Sequence, residues 1–274
     1  MAQVAVILFW FAIVLYVAAT VLYAYFFLSK RASYSWYATF LTGAGFLCHT
    51  ASVGMRSVAD GGTSLDGPNT LILAAWALVL VYFVMEHLIK VKIYGTLLVP
   101  VGLVFMVISQ LMVAKVGAAS PLVTNWKVGI HVALIVFANA GFFIAGVGAL
   151  AYLIQESQLK RHRTNVLFKR LPALSNIDLI TRRAAAFAFP AYTAGLLLGV
   201  FRAIETDPPG WWADPRVMLA GLAWAIFGAF IVLHYTRRAS ARTTAWVALS
   251  GVLVISVVAV IARTVPAGFH VFGL

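Results

Sequence analysis

Eight separate stretches of the chain are each long and apolar enough to cross a bilayer, and that pattern leaves few folds open. A helix needs about 20 apolar residues to span the hydrocarbon core. The runs are 4–28, 36–55, 70–89, 93–114, 128–154, 184–204, 217–235 and 244–262. Lipid offers no hydrogen-bond partner to an open backbone, so a spanning segment is a helix or a strand of a closed barrel. These runs are too long for barrel strands of about 9–11 residues. The expected fold is therefore all-α: one polytopic transmembrane bundle of about eight helices over residues 1–274, with almost nothing outside the bilayer. Composition excludes the soluble alternative. Of the 274 residues, 63% are hydrophobic and 10% charged, against about half and a quarter in soluble domains. The first run has no basic stretch before it and no small-residue cleavage site, so it reads as a mature helix.

The chain carries 20 Lys+Arg against 8 Asp+Glu, a net charge of +12. That excess needs no nucleic-acid partner, because it clusters at helix ends. The loops after the first, third, fifth and seventh runs hold 14 basic residues, from Lys30 and Arg31 to Arg242. The opposite side holds six: Arg56, Lys115, Lys127, Arg202, Arg216 and Arg263. The richer side is expected to face the cytoplasm, which puts both termini outside. The basic loop 155–183 reads as a topology determinant or as a contact for lipid headgroups or a partner. The turn-rich loop 60–68 reads as surface without chemistry.

Histidine placement is the most informative polar feature, since ionisable groups inside a membrane are costly to keep there. His131 opens the fifth run just inside the outer face, and His270 follows the last run on the same side. His87 and His234 each lie 17 residues into a run that starts outside, roughly 25 Å from its outer end. His49 is in the outer half of the second run, and His162 is in the basic loop. Imidazole in such places ligates haem iron or moves protons. The ordinary alternative for each is a hydrogen bond to a neighbouring helix.

The outer loop before the seventh run contains Trp211-Trp212-Ala213-Asp214-Pro215-Arg216. Paired tryptophans there are headgroup anchors or a flat platform for a planar apolar ligand. Asp214 and Pro215 match an N-cap followed by proline at the first helical position. Arg216, Arg202, Lys127 and Arg263 ring that face as snorkelling cations or as partners for a ligand's carboxylates. Cys48 is the only cysteine. It leaves no internal disulfide, no Cys-rich zinc site and no CxxCH attachment, so a haem here would be held non-covalently.

Three stretches carry a family resemblance: His131-Val-Ala-Leu-Ile with Ala151-Tyr-Leu-Ile-Gln-Glu-Ser-Gln-Leu-Lys160; the Trp211–Arg216 segment with Ala223-Trp224 and Leu233-His234; and Gly268-Phe-His270. In these the chain resembles the membrane proteins of cytochrome c assembly, the CcsA/ResC/CcmC type, and is most similar to their short HemX-like members. The resemblance covers roughly 70–274. It leaves 1–68 as two N-terminal helices before a core of 69–274. It implies haem iron held by His131 and His270 near the outer face, with Trp211, Trp212 and Asp214 cradling the porphyrin. It also implies that His234 ligates haem deeper in the membrane, with His49 or His87 as its partner. The Trp-rich segment is shorter than is usual in the family and ends in Arg216-Val217, so haem handling is expected rather than a complete synthase or enzymatic turnover.

The function expected is haem trafficking or cytochrome c assembly in the cytoplasmic membrane of a prokaryote. It would use one or two b-type haems and dock with an assembly or respiratory membrane protein. Two readings compete with it: a haem-free accessory or regulatory membrane subunit, and a b-type haem electron-transfer subunit.

Overall fold

The computed structural model describes residues 1–29, 31–64, 67–89, 92–113, 122–123, 125–161, 173–236 and 238–264. Among them are eight α-helices: α1 (Ala2–Ser29), α2 (Ala32–Asp60), α3 (Gly67–Ile89), α4 (Gly95–Val113), α5 (Trp126–Lys160), α6 (Leu174–Thr206), α7 (Pro215–Tyr235) and α8 (Ala241–Thr264). Each apolar run has become one helix, as expected. The loop after α2 adds a single antiparallel bridge, Thr63–Ser64 paired with Leu122–Val123.

Seven of the helices are long and apolar enough to cross a membrane; α2 is long enough but more polar. Its polarity is turned inward. The buried residues of α2 are Ser35, Ala38, Thr42, Gly45, His49 and Ser52, at alternating spacings of three and four. The same spacing buries Ala5, Phe9, Ala12, Tyr16, Ala19 and Tyr23 on α1. Two such stripes mesh as coiled-coil seams do. Small side chains let the backbones approach, the main source of helix attraction in lipid. Tyr16 rests on Gly45, where a Cβ would lie 2.8 Å from the ring. Ser52 Oγ donates to the carbonyl of Ala5 at 2.7 Å. The opposite face of α2 exposes Trp36, Tyr37, Phe40 and Leu47, a surface fit for lipid.

The chain divides into two compact units, residues 1–124 with α1–α4 and residues 125–271 with α5–α8. The boundary drawn at 68/69 on the family resemblance falls inside the first unit. In the second, α5 is central. It lies antiparallel to α6 along its length and also packs on α8. Glycines set these contacts. A Cβ at Gly141 would meet that of Ala188 at 2.8 Å, and one at Gly146 would meet Val252 Cγ2 at 2.6 Å. Between α5 and α7, Phe142 stacks on Phe227 at 3.7 Å between centroids.

Two helices overrun their apolar cores. α5 continues to Lys160, and α6 begins at Leu174 rather than near 184. Long Lys and Arg side chains let a helix project past the hydrocarbon while keeping charge in water. Asp178, Arg182 and Arg183, expected in a loop, therefore stand on a helix.

Candidate functional site

His131 lies where α5 starts to run against α6. Asn125 caps the helix, its side chain accepting from the Lys127 N–H at 2.9 Å. Lys127 and His131 are four residues apart and share one face. The Nδ1 atom of His131 is 2.7 Å from the carbonyl oxygen of Gly195 on α6. A carbonyl can only accept, so Nδ1 carries a proton, and in the neutral ring this leaves the lone pair on Nε2. A hydrogen bond of this kind on the far nitrogen is what orients a metal-binding imidazole and raises its basicity. Gly199 sits one turn further along α6, and a Cβ there would lie 2.8 Å from His131 Cε1. Any side chain at 199 would lift the ring off the helix. Gly195-x-x-x-Gly199 is the pattern that brings transmembrane helices together, and it is the sequence signal that marks this seam.

At the rim beyond His131, Glu205 bridges two cations. Its Oε1 accepts from Lys127 and its Oε2 lies 3.2 Å from Arg202. Two of the four cations expected on this face are thus already paired. Arg216 is buried behind the start of α7. The side chain of Arg263 is outside those described.

Trp211–Ala213 forms a short 3-10 turn leading into α7, with Trp212 71% exposed and Trp211 half-buried. Asp214 caps α7 as expected: its Oδ1 accepts from the Arg216 N–H at 2.8 Å, and Pro215 occupies the first turn. Replacing Asp214 with Ala should therefore cost about 0.5–2 kcal/mol of stability. The check is chemical unfolding of the ligand-free protein in micelles; an unchanged transition would count against the cap.

His234 is at the other end of this unit, in the last turn of α7. Its Nε2 is 3.6 Å from Asp178 Oδ2 on α6, within ion-pair range and beyond a good hydrogen bond. Phe230 stacks against its ring at 5.7 Å. Glu156 pairs with Lys160, one turn on along α5, at 2.7 Å and with Arg242 at 3.6 Å, joining α5 to α8. The α6 partners of the two histidines, Gly195 and Asp178, are 17 residues apart, which separates the two sites by roughly 25 Å.

The remaining histidines of the described chain are in the first unit. His49 is fully buried, edge-on to Tyr16 at 6.1 Å, and the Ile72 backbone lies beside it. Neither of its ring nitrogens makes a hydrogen bond of normal geometry. His87 is exposed in the last turn of α3, next to Glu86. Glu86 Oε1 accepts from Thr39 at 3.3 Å, and Thr39 in turn reaches the Tyr23–Tyr82 hydroxyl pair, itself at 2.6 Å. His270 and His162 lie outside the described residues. Among the described residues no three His, Cys, Asp or Glu side chains converge on a metal position; an axial haem ligand needs no such cluster.

Comparison with known proteins follows the same stretch of chain. Residues 67–270 match the Cytochrome C assembly protein family. The chain belongs to that family. The cytochrome c biogenesis protein CcsA of Chlamydomonas reinhardtii is 26% identical over 213 residues, covering 75% of this chain and 59% of that protein. The CcsA protein of Chlorella vulgaris is 27% identical over 271 residues, covering 86% of each. Protein HemX of Brevibacillus brevis is 24% identical over 189 residues, covering 68% of this chain and 70% of that protein. No solved structure matches. His131, Trp211, Trp212, Asp214, Arg216 and His234 all fall inside the family match, and so does His87. His49 precedes it.

Sequence reasoning singled out the histidines but not what surrounds them. Gly195, Gly199, Glu205 and Asp178 all lie on α6, and each acts on α5 or α7. Apart from the Gly195/Gly199 spacing, a partner on another helix leaves no mark in its own local pattern.

Proposed function

We propose that this protein binds haem within the cytoplasmic membrane and passes it toward cytochrome c assembly. The observation that carries the reading is the imidazole of His131, held by the Gly195 carbonyl with Nε2 free to ligate. Haem, when bound, supplies the iron chemistry and the redox state. The chain supplies a ligand, an aromatic surface at Trp211 and Trp212, and cations at the rim. His270 is the proposed second ligand on that face. His234 is proposed for a separate site toward the cytoplasm. The orientation follows the basic loops, both termini outside. The haem is proposed to be b-type, because the single Cys48 offers no thioether pair. The names of the CcsA relatives support a partner in cytochrome c biogenesis.

The test is the absorption spectrum of the purified protein, oxidised and reduced, with a pyridine haemochrome assay, beside a His131→Ala/His270→Ala double variant. A b-type spectrum that weakens in the variant is expected. A spectrum unchanged by the variant would move the haem to the inner histidines and favour electron transfer. A protein that takes up no haem on reconstitution would leave the regulatory reading in place.

A further inference from the structure

We propose that Glu205 is a built-in carboxylate seated in the anion site of the His131 seam, and that a carboxylate-bearing planar ligand binds there by displacing it. The inference rests on His131 being a haem ligand and adds a specificity element to that reading. Three observations carry it. One carboxylate serves two cations at once, Oε1 with Lys127 and Oε2 with Arg202. Both cations are tied to the imidazole by helix register. Lys127 is one turn before His131 on α5, and Arg202 is three residues past Gly199, against which the His131 ring lies. All three side chains are between 33% and 41% exposed, so a ligand can reach them from the rim.

The exchange is nearly isoelectric. A ligand carboxylate arriving at Lys127 and Arg202 replaces one anion with another, so neither cation is stranded. Glu205 is close to water and stays solvated once released. Exposed ion pairs contribute little individually, because water screens them, and are weak enough to exchange on binding. The site therefore discriminates: a porphyrin with carboxylate arms competes for the cations, whereas one without them leaves Glu205 in place. A merely structural pair joining α5 to α6 has the opposite signature, because removing Glu205 would then loosen the seam and weaken every ligand.

The experiment compares the full-length protein with Glu205→Gln, Glu205→Asp and a Lys127→Gln/Arg202→Gln double variant in detergent micelles. Each is titrated with iron protoporphyrin and with iron octaethylporphyrin, which has no carboxylates, and followed by the Soret band. Glu205→Gln is expected to bind iron protoporphyrin about three- to tenfold more tightly, the release of two weak pairs. Its affinity for the carboxylate-free porphyrin should not change. Glu205→Asp, too short to serve both cations, should move the same way and covers a failure of the Gln variant to fold. The double cation variant should lose the preference for protoporphyrin. If the wild-type protein binds protoporphyrin and both Glu205 variants bind it equally or more weakly, the inference fails while the haem reading stands. If the wild-type protein binds neither porphyrin, both fail.

Discussion

Replacing His131 with glycine is expected to lower haem affinity at the outer site by more than about a hundredfold, and added imidazole is expected to restore most of it. The scale follows from metal sites in which losing a second-shell partner alone costs about 10–100-fold; losing the ligand itself costs more. The informative comparison is between imidazole and 1-methylimidazole. Both offer iron a lone pair, but only imidazole keeps the N–H that donates to the Gly195 carbonyl, 2.7 Å from Nδ1 in the native seam. The methyl group would also press on α6 close to Gly199, which leaves no room for a Cβ beside the ring. Imidazole should therefore restore the Soret band at lower concentration than 1-methylimidazole. Equal restoration would mean that the carbonyl does not position the ligand. No loss of haem in the glycine variant would remove His131 from the site.

The second large effect is on the seam itself. Gly148→Val is expected to destabilise the protein by about 1–3 kcal/mol or more, the cost of forcing extra methyl groups into a packed core. A Cβ at 148 runs into Thr181, which is buried and already bonded to the Ile177 carbonyl at 2.9 Å. Neither partner can retreat, because small residues of α5 and α6 hold the backbones together on both sides of the contact. Gly54→Ala on α2 is the matched control. Nothing lies within 4 Å of its added Cβ, so a neutral to slightly stabilising change, up to about 1 kcal/mol, is expected from helix propensity alone. Helix content followed through denaturation in micelles reads both. If the two variants unfold alike, close packing of α5 on α6 is not what holds this unit.

The helices were legible because lipid imposes one requirement on every spanning segment: about 20 apolar residues with their backbone bonds satisfied internally. That requirement acts locally, so all eight runs became helices. The cap at Asp214 and Pro215 was legible for the same reason, since its hydrogen bond closes within three residues. The helix ends were less so. α6 starts ten residues before its apolar run because charged side chains can leave the hydrocarbon without ending the helix. Asp178, placed in a loop by composition, consequently meets His234.

What the amino-acid order determined by itself is therefore the all-α membrane class, the number of helices, the family, and the short list of imidazoles proposed as ligands. The class and the helix count follow from interactions closed within one helix or from solvent-transfer energies that depend on residue type alone; the family follows from the resemblance of its motifs. Only the tertiary structure decided which nitrogen of His131 faces the Gly195 carbonyl, that Gly199 makes room for its ring, and that Lys127 and Arg202 are held by Glu205. Those outcomes depend on which face of α6 meets α5 and in what register. Many weak contacts between the two helices set that register jointly, and no single segment encodes it.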